Sequence, residues 1–203
     1  MDERDKRRVG EQIEPGDRPK APGRLELLQR FVNTWNHEFP AGWDRLGTPT
    51  KTRAWLAAKG LIATGTEVTS TDADRCRQLR EALRTLIADP RDPGEASAVI
   101  DRLAASAWMR ISIAPSGEAT FAPRSRGVDG AIGDLLSRMH DAQVAGTWSR
   151  VKACRRCGYV FFDRSKNRSA TWCAMSICGN RTKNSAYQRR RRLAAGPGPR
   201  AVR

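Results

Sequence analysis

The chain has 203 residues, 39% hydrophobic and 29% charged, with 37 Lys and Arg against 22 Asp and Glu. Such a balance suits modest folded cores. No apolar run approaches the roughly 18 residues that a membrane-crossing helix needs, and the formal net charge of +15 favours polyanionic partners, nucleic acid first and an anionic membrane surface second. The first eight residues, Met1 to Arg8, have no apolar segment behind them. No secretory leader is therefore expected, and the thiols are expected to meet a reducing cytoplasm.

Residues 1–23 are charged, carry Pro15, Pro19 and Pro22 and have almost nothing apolar, which predicts a disordered arm. From 24 to 35, Leu25, Leu28, Val32 and Trp35 repeat at helical spacing, with Phe31 beside them. Trp43 follows in a loop. Thr48 and Pro49 read as an N-cap and first-turn proline for a second helix, which carries Trp55 and Leu56 and stops at Gly60. Thr71 is expected to cap a third helix with Cys76, Leu79, Leu83, Leu86 and Ile87 on one face, ended by Asp89 and Pro90. A fourth starts at Asp92 and Pro93 and turns Val99, Ile100 and Leu103 inward.

The period then changes. Residues 108–113 and 118–122 flank Pro115, Ser116 and Gly117, which predicts a hairpin. A fifth helix from Val128 to about Ala145 carries Ile132, Leu135, Leu136 and Met139 inward. Residues 148–153 read as a short strand. The segment 24–147 is thus predicted to be a mainly helical α+β domain with a small β-hairpin. His37 and His140 are the only histidines and have no acid or cysteine at motif spacing, so both read as structural. There is no Gly-rich phosphate loop, no nucleophile motif and no HExxH pair, so a catalytic function is not expected.

The last quarter carries the chemistry. Cys154, Cys157, Cys173 and Cys178 stand as C-x2-C-x15-C-x4-C. Two short-spaced pairs at this separation point to one structural Zn2+, each pair giving two thiolates on one turn and the loop between closing the tetrahedron. Two disulfides, or four unrelated buried thiols, are the other readings. Cys76 is left as a small buried hydrophobe. Gly158 follows the first pair where the turn needs a positive φ. Tyr159, Phe161 and Trp172 read as the finger's own core, and Asn167 and Asn180 as hydrogen-bond partners for turn backbone or thiolate.

From 150 to 203 there are fifteen Lys or Arg and one acid, Asp163, so nearly all the net charge lies here. The basic and amide side chains that could meet nucleic acid are Arg155, Arg156, Arg164, Lys166, Arg168, Arg181, Lys183, Asn184, Gln188, Arg189, Arg190, Arg191 and Arg192. A helix from 176 to about 193 would put Arg181, Asn184, Gln188 and Arg191 or Arg192 on one face. Their paired donors and acceptors match base edges. Lys183, Arg189 and Arg190 lie off that line and suit phosphates. Residues 196–203, rich in Gly and Pro, read as a flexible tail.

Cys178-Gly179-Asn180-Arg181 closing this cysteine pattern resembles the CGNR zinc finger of bacterial regulators. The run from Phe162 to Ser169 is similar to that family's F-x-D-x-S-x-N-x-S, and Trp172 to Met175 to its W-C-x-M. The stretches 31–34, 48–62 and 78–83 resemble the ABATE domain that accompanies this finger. Ala170 and Thr171 depart from the arginines usual just before the tryptophan. The resemblance implies a stress-related, DNA-binding transcription regulator in which 148–195 form a treble-clef or zinc-ribbon-like finger ending in a basic helix. The domain over 24–147 would then sense a small-molecule effector or form a homodimer. Expected location is the cytoplasm, at the nucleoid, with no membrane association. An RNA- or ribosome-associated zinc protein and an enzyme with a pocket in 24–147 are the alternatives.

Overall fold

A computed structural model describes residues 18–36 and 41–194, so His37, residues 1–17 of the expected arm and the tail from 196 lie outside the described residues. The elements in chain order are α1 (Leu25–Val32), α2 (Pro49–Ala58), α3 (Ser70–Ala88), α4 (Gly94–Ala104), β1 (Met109–Ile113), β2 (Ala119–Pro123), α5 (Gly127–Val144), β3 (Val151–Ala153), β4 (Val160–Phe162) and α6 (Asn180–Ala194). The two strand pairs form separate antiparallel hairpins.

Local chemistry starts the helices. The Thr48 hydroxyl accepts from Lys51 N at 3.2 Å, with Pro49 in the first turn of α2. The cap of α3 is Thr69 rather than Thr71. Asp72 N donates to Thr69 Oγ1 at 3.1 Å, and Thr69 N donates to Asp72 Oδ2 at 3.0 Å, a reciprocal capping box. Both threonines have an aspartate three residues on, and the second, Asp74, pairs with Arg77 instead. Residues 148–150 form a turn of 3-10 helix, so the expected strand begins only at Val151.

The helix α3 is the spine against which α1, α2, α4, α5 and β3 pack. It buries Ala73, Cys76, Leu79, Leu83 and Ile87, as its apolar stripe predicts, but also Arg80 and Arg84. Arg80 forks onto Asp44, with Nη1–Oδ1 at 2.6 Å and Nη2–Oδ2 at 2.9 Å. Burial alone would lower its pKa, but the bonds and charge of Asp44 raise it. Arg84 donates from Nη2 to the carbonyls of Val32 and Trp35, both at 2.7 Å, satisfying the open end of α1. Burial also makes Cys76 inert, pushing its thiol up to about 12.

Hairpin β1–β2 lies on α5. Gly133 lets it approach, since a Cβ there would stand 2.8 Å from Met109 Sδ. Hairpin β3–β4 does not stand apart from the helical domain. Strand alternation sends Val160 and Phe162 of β4, with Val151 of β3, into the main core. It sends Phe161, with Tyr159 just ahead, to the cysteines. The composition boundary near 147 is therefore not a gap in packing.

The expected arm is corrected at its end nearest the first helix. Arg18 and Ala21 are buried, and Ala21 N donates to Gln29 Oε1 at 2.6 Å. Residues 18–23 form a strap over the finger, held by buried polar contacts that hydrophobicity patterns do not report.

The join between the cores is closed by two amides, Gln29 Nε2 donating to Val160 O at 3.2 Å beside Asn33. Asn33 Nδ2 donates to Val160 O at 2.7 Å, and Val160 N donates to Asn33 Oδ1 at 2.9 Å. The side chain thus stands in for a neighbouring strand, and it is 1% exposed. Replacing it by alanine strands the buried N–H of Val160 and leaves its carbonyl with the Gln29 amide alone, at 3.2 Å. Asn33→Ala should lower stability by about 2 kcal/mol, measured by urea unfolding of the zinc-loaded chain. A loss below about 0.5 kcal/mol would show that water replaces the amide.

Candidate metal centre

Cys154 and Cys157 sit on the turn between β3 and β4. Gly158 N donates to Cys154 O and Cys154 N to Tyr159 O, each at 2.9 Å. Gly158 has φ +70°, the left-handed conformation that closes the turn. The second pair is spaced more widely and needs a wider turn. Residues Met175–Gly179 form one π-helical turn, in which Cys178 N and Gly179 N both donate to Ala174 O, at 3.0 and 3.2 Å. A Cβ on Gly179 would meet Met175 Sδ at 2.5 Å and Trp172 at 3.4 Å, so a larger residue here requires the exposed Met175 side chain to move aside.

The four sulfurs lie within 4.8 Å of one another, and all four residues are buried. Three Sγ–Sγ separations are 3.8 Å (Cys157–Cys173), 3.7 Å (Cys173–Cys178) and 3.6 Å (Cys178–Cys157). A tetrahedron with metal–sulfur bonds of about 2.3 Å has edges of about 3.8 Å, so the donor set fits Zn2+. The separations are far above the disulfide bond length of about 2.0 Å, and all five cysteines are free. With only protons to share, the thiols are in conflict. Hydrogen bonds from Cys157 and Cys173 hold Cys154 well below the ordinary thiol range. The bond to Cys154 pushes Cys157 up, and burial pushes Cys178 up to about 12. A divalent ion removes the conflict by binding all four as thiolates. No position is left open for water, so such an ion organises the fold rather than catalysing.

The groups around the sulfurs differ from expectation in one respect. Tyr159 and Phe161 are buried against the cysteines, as a small finger's core requires. Asn167 and Asn180 are exposed, however. The polar group at the sulfurs is Arg18, whose Nε donates to Cys173 Sγ at 3.5 Å. On the other side, Arg84 Nη1 donates to Gly158 O at 3.3 Å and ties the first knuckle to α3.

Asp163 organises the loop between the cysteine pairs. It is 0% exposed. Its Oδ2 accepts from Lys152 Nζ at 2.7 Å and Ala170 N at 3.0 Å, and its Oδ1 from Ser165 N at 2.8 Å. Burial alone would raise its pKa, but these donors, Lys152 foremost, hold it well below the usual carboxylate range. Lys152 also donates to the carbonyl of Arg168, which takes a positive φ of 50°. The sequence reading missed this role, although the single acid in a basic stretch is the signal that could have found it.

Of the nucleic-acid candidates, Arg155, Arg156, Lys166, Arg181, Lys183, Asn184, Gln188, Arg189, Arg190 and Arg191 are exposed. Arg168 is exposed and donates to Ser149 Oγ at 3.4 Å. Arg164 is exposed but tethered, donating to Lys20 O at 2.8 Å with its guanidinium 5.8 Å from the Phe162 ring. Arg192 lies in α6, with only its backbone described. The chain leaves the π-helical turn directly into α6, which makes its main contacts with that turn.

With the fold and this geometry in view, comparison with known families is decisive. A model described as "Putative stress-induced transcription regulator", ABATE, matches residues 25–147. The chain belongs to the ABATE family. The CGNR zinc finger model matches residues 150–191, so this ABATE protein carries its four-cysteine zinc site in a second recognised domain. A search of curated proteins found no match.

The zinc-loaded ABATE protein should contain about one zinc per chain by elemental analysis, and Cys173→Ser should lose it. Stoichiometric zinc in a chain lacking both Cys154 and Cys157 would contradict the site. Asp163→Ala, with the cysteines intact, should cost about 2–3 kcal/mol, because Lys152 and two backbone donors lose their acceptor. That contribution is present above the unfolded carboxylate value near 4 and is lost as pH falls through the depressed folded value. The difference between wild type and Asp163→Ala in chemical unfolding should therefore shrink in acid. A constant difference would assign the effect to packing.

Proposed function

We propose that this protein is a zinc-dependent, DNA-binding transcription regulator whose finger contacts duplex DNA. The observation that carries the reading is the state of its charges. Asp163, the one acid between 150 and 203, is buried and bonded internally, so it does not offset the basic surface. The helix α6 has no acid at all, and its described side chains are exposed apart from the partly buried Thr182. A helix polar on every side gains little from packing. It carries like charges in successive turns, and a row of phosphates would relieve them.

In this reading Arg155 and Arg156 on the knuckle, Lys166 and Arg168 on the loop, and Lys183, Arg189 and Arg190 on α6 meet phosphates. Arg181, Asn184, Gln188 and Arg191 or Arg192 form the face that reads bases. Arg164 contributes less, because its tether to Lys20 holds it toward the strap. Asn184→Ala and Gln188→Ala should each lose about 1–3 kcal/mol on a selected duplex and little on a scrambled one, with the salt slope nearly unchanged. Arg189→Ala should weaken both duplexes and lower the slope by about one. Equal losses of Asn184→Ala and Gln188→Ala on both duplexes would make α6 a backbone clamp. Displacement of the duplex by structured RNA at lower concentration would favour an RNA-associated role.

The N-terminal domain has a groove of about 550 Å³, lined by Leu25, Ile111, Phe121, His140 and Val144 among others. Its bordering arginines are held in ion pairs: Arg24 with Asp134 and with Asp141, which also lines the groove, and Arg138 with Asp134. Paired charges beside an apolar floor favour a small amphipathic effector over catalysis. Anilinonaphthalene sulfonate fluorescence should rise with wild type and much less with Phe121→Glu. Equal responses would remove the groove from the proposal.

A further inference from the structure

The strap carries a buried cation set against a cysteine sulfur. Arg18 is 6% exposed. Its Nε points at Cys173 Sγ, and its guanidinium carbon lies 4.4 Å from the centroid of Tyr159, itself buried beside the cysteines. The strap is fixed along its length: Gln29 Nε2 donates to Pro19 O at 3.1 Å and Arg164 to Lys20 O. Arg18 is thus held in place rather than being a surface side chain that happens to reach the site.

A zinc ion with four thiolates carries two net negative charges, and burying them unpaired is costly. We propose that Arg18 is a fifth working member of the metal centre, a cation from the N-terminal strap that neutralises part of the tetrathiolate and guards Cys173. Two consequences follow. Zinc is bound more tightly because the buried cation beside Cys173 offsets part of the negative charge of the four-sulfur site. Cys173 is also made less nucleophilic by Arg18. The donated hydrogen bond occupies a sulfur lone pair, and the stacked guanidinium lies over the approach from the strap side. The strap is outside the finger in sequence, so metal retention becomes a property of the whole chain. Removing a hydrogen-bonded neighbour of a metal ligand commonly costs 10–100-fold in metal affinity.

The test uses the full-length, zinc-loaded chain. Wild type, Arg18→Lys and Arg18→Met are mixed with excess chromogenic zinc chelator, and the release rate is read optically. Parallel samples receive iodoacetamide, and alkylation of Cys173 and Cys154 is counted by peptide mass spectrometry. Arg18→Met keeps an apolar side chain over Tyr159 but removes the charge and the donor. It should release zinc about tenfold faster or more, with Arg18→Lys between it and wild type. The ratio of Cys173 to Cys154 alkylation should rise several-fold in Arg18→Met. This ratio is internal to one molecule, so a general loss of stability accelerates both sites and leaves it unchanged. An unchanged ratio, or a wild-type release rate in Arg18→Met, overturns the proposal.

Discussion

The structure depends on where β4 lies. Three residues, Val160 to Phe162, serve two cores at once. Alternation fixes the division, with Val160 and Phe162 facing the helices and Phe161 facing the sulfurs. A strand this short has few backbone bonds of its own, and β3 supplies only three residue pairs. Its other edge is held by a side chain, the Asn33 amide, which pairs both polar groups of Val160. The metal site is thereby anchored to α1, and through Arg84 to α3. A finger of this size cannot bury enough apolar surface alone. Here it draws on a metal for one face and on the helical domain for the other.

Charge follows the same division. Toward the helical domain, the arginines Arg18, Arg80 and Arg84 are buried and matched to carbonyls, carboxylates or sulfur. Away from it, the arginines and lysines of the knuckle, the loop and α6 are exposed and unmatched in sign. The basic residues thus fall into two populations with different physical roles. The buried ones hold the architecture through directed hydrogen bonds. The exposed ones sum into a field that an extended polyanion would neutralise. Asp163 marks the boundary, since its burial and pairing keep it out of that field while shaping the loop that carries Lys166 and Arg168.

This arrangement also bears on how the family's two domains act together. The model of the ABATE family ends at 147 and that of the CGNR finger begins at 150, yet the core passes across the interval without a break. Residues 18–21, ahead of both, touch the metal ligand and the loop between the cysteine pairs. A change in the helical domain that moves α1 would move β4, because Asn33 and Gln29 both bond Val160 O. The two domains are therefore mechanically linked through short, buried hydrogen bonds rather than through a flexible linker.

What the sequence determined is what local spacing encodes. Cysteine spacing specified four ligands on two turns, and the helical and strand periods specified α1 to α5 and the first hairpin to within a few residues, because each is a relation between near neighbours. Gly158 was legible for the same reason, as a turn has few solutions. The start of α3 was not, since Thr69 and Thr71 offer the same local motif and only one is used. Tertiary structure alone decided the rest. The pairing of Asn33 with Val160 spans 127 residues and that of Arg18 with Cys173 spans 155. A buried arginine or asparagine reads in sequence as a surface residue, because polarity tells only that a group needs a partner. Where that partner stands is set by the fold, which brings donor and acceptor together in a place water does not reach.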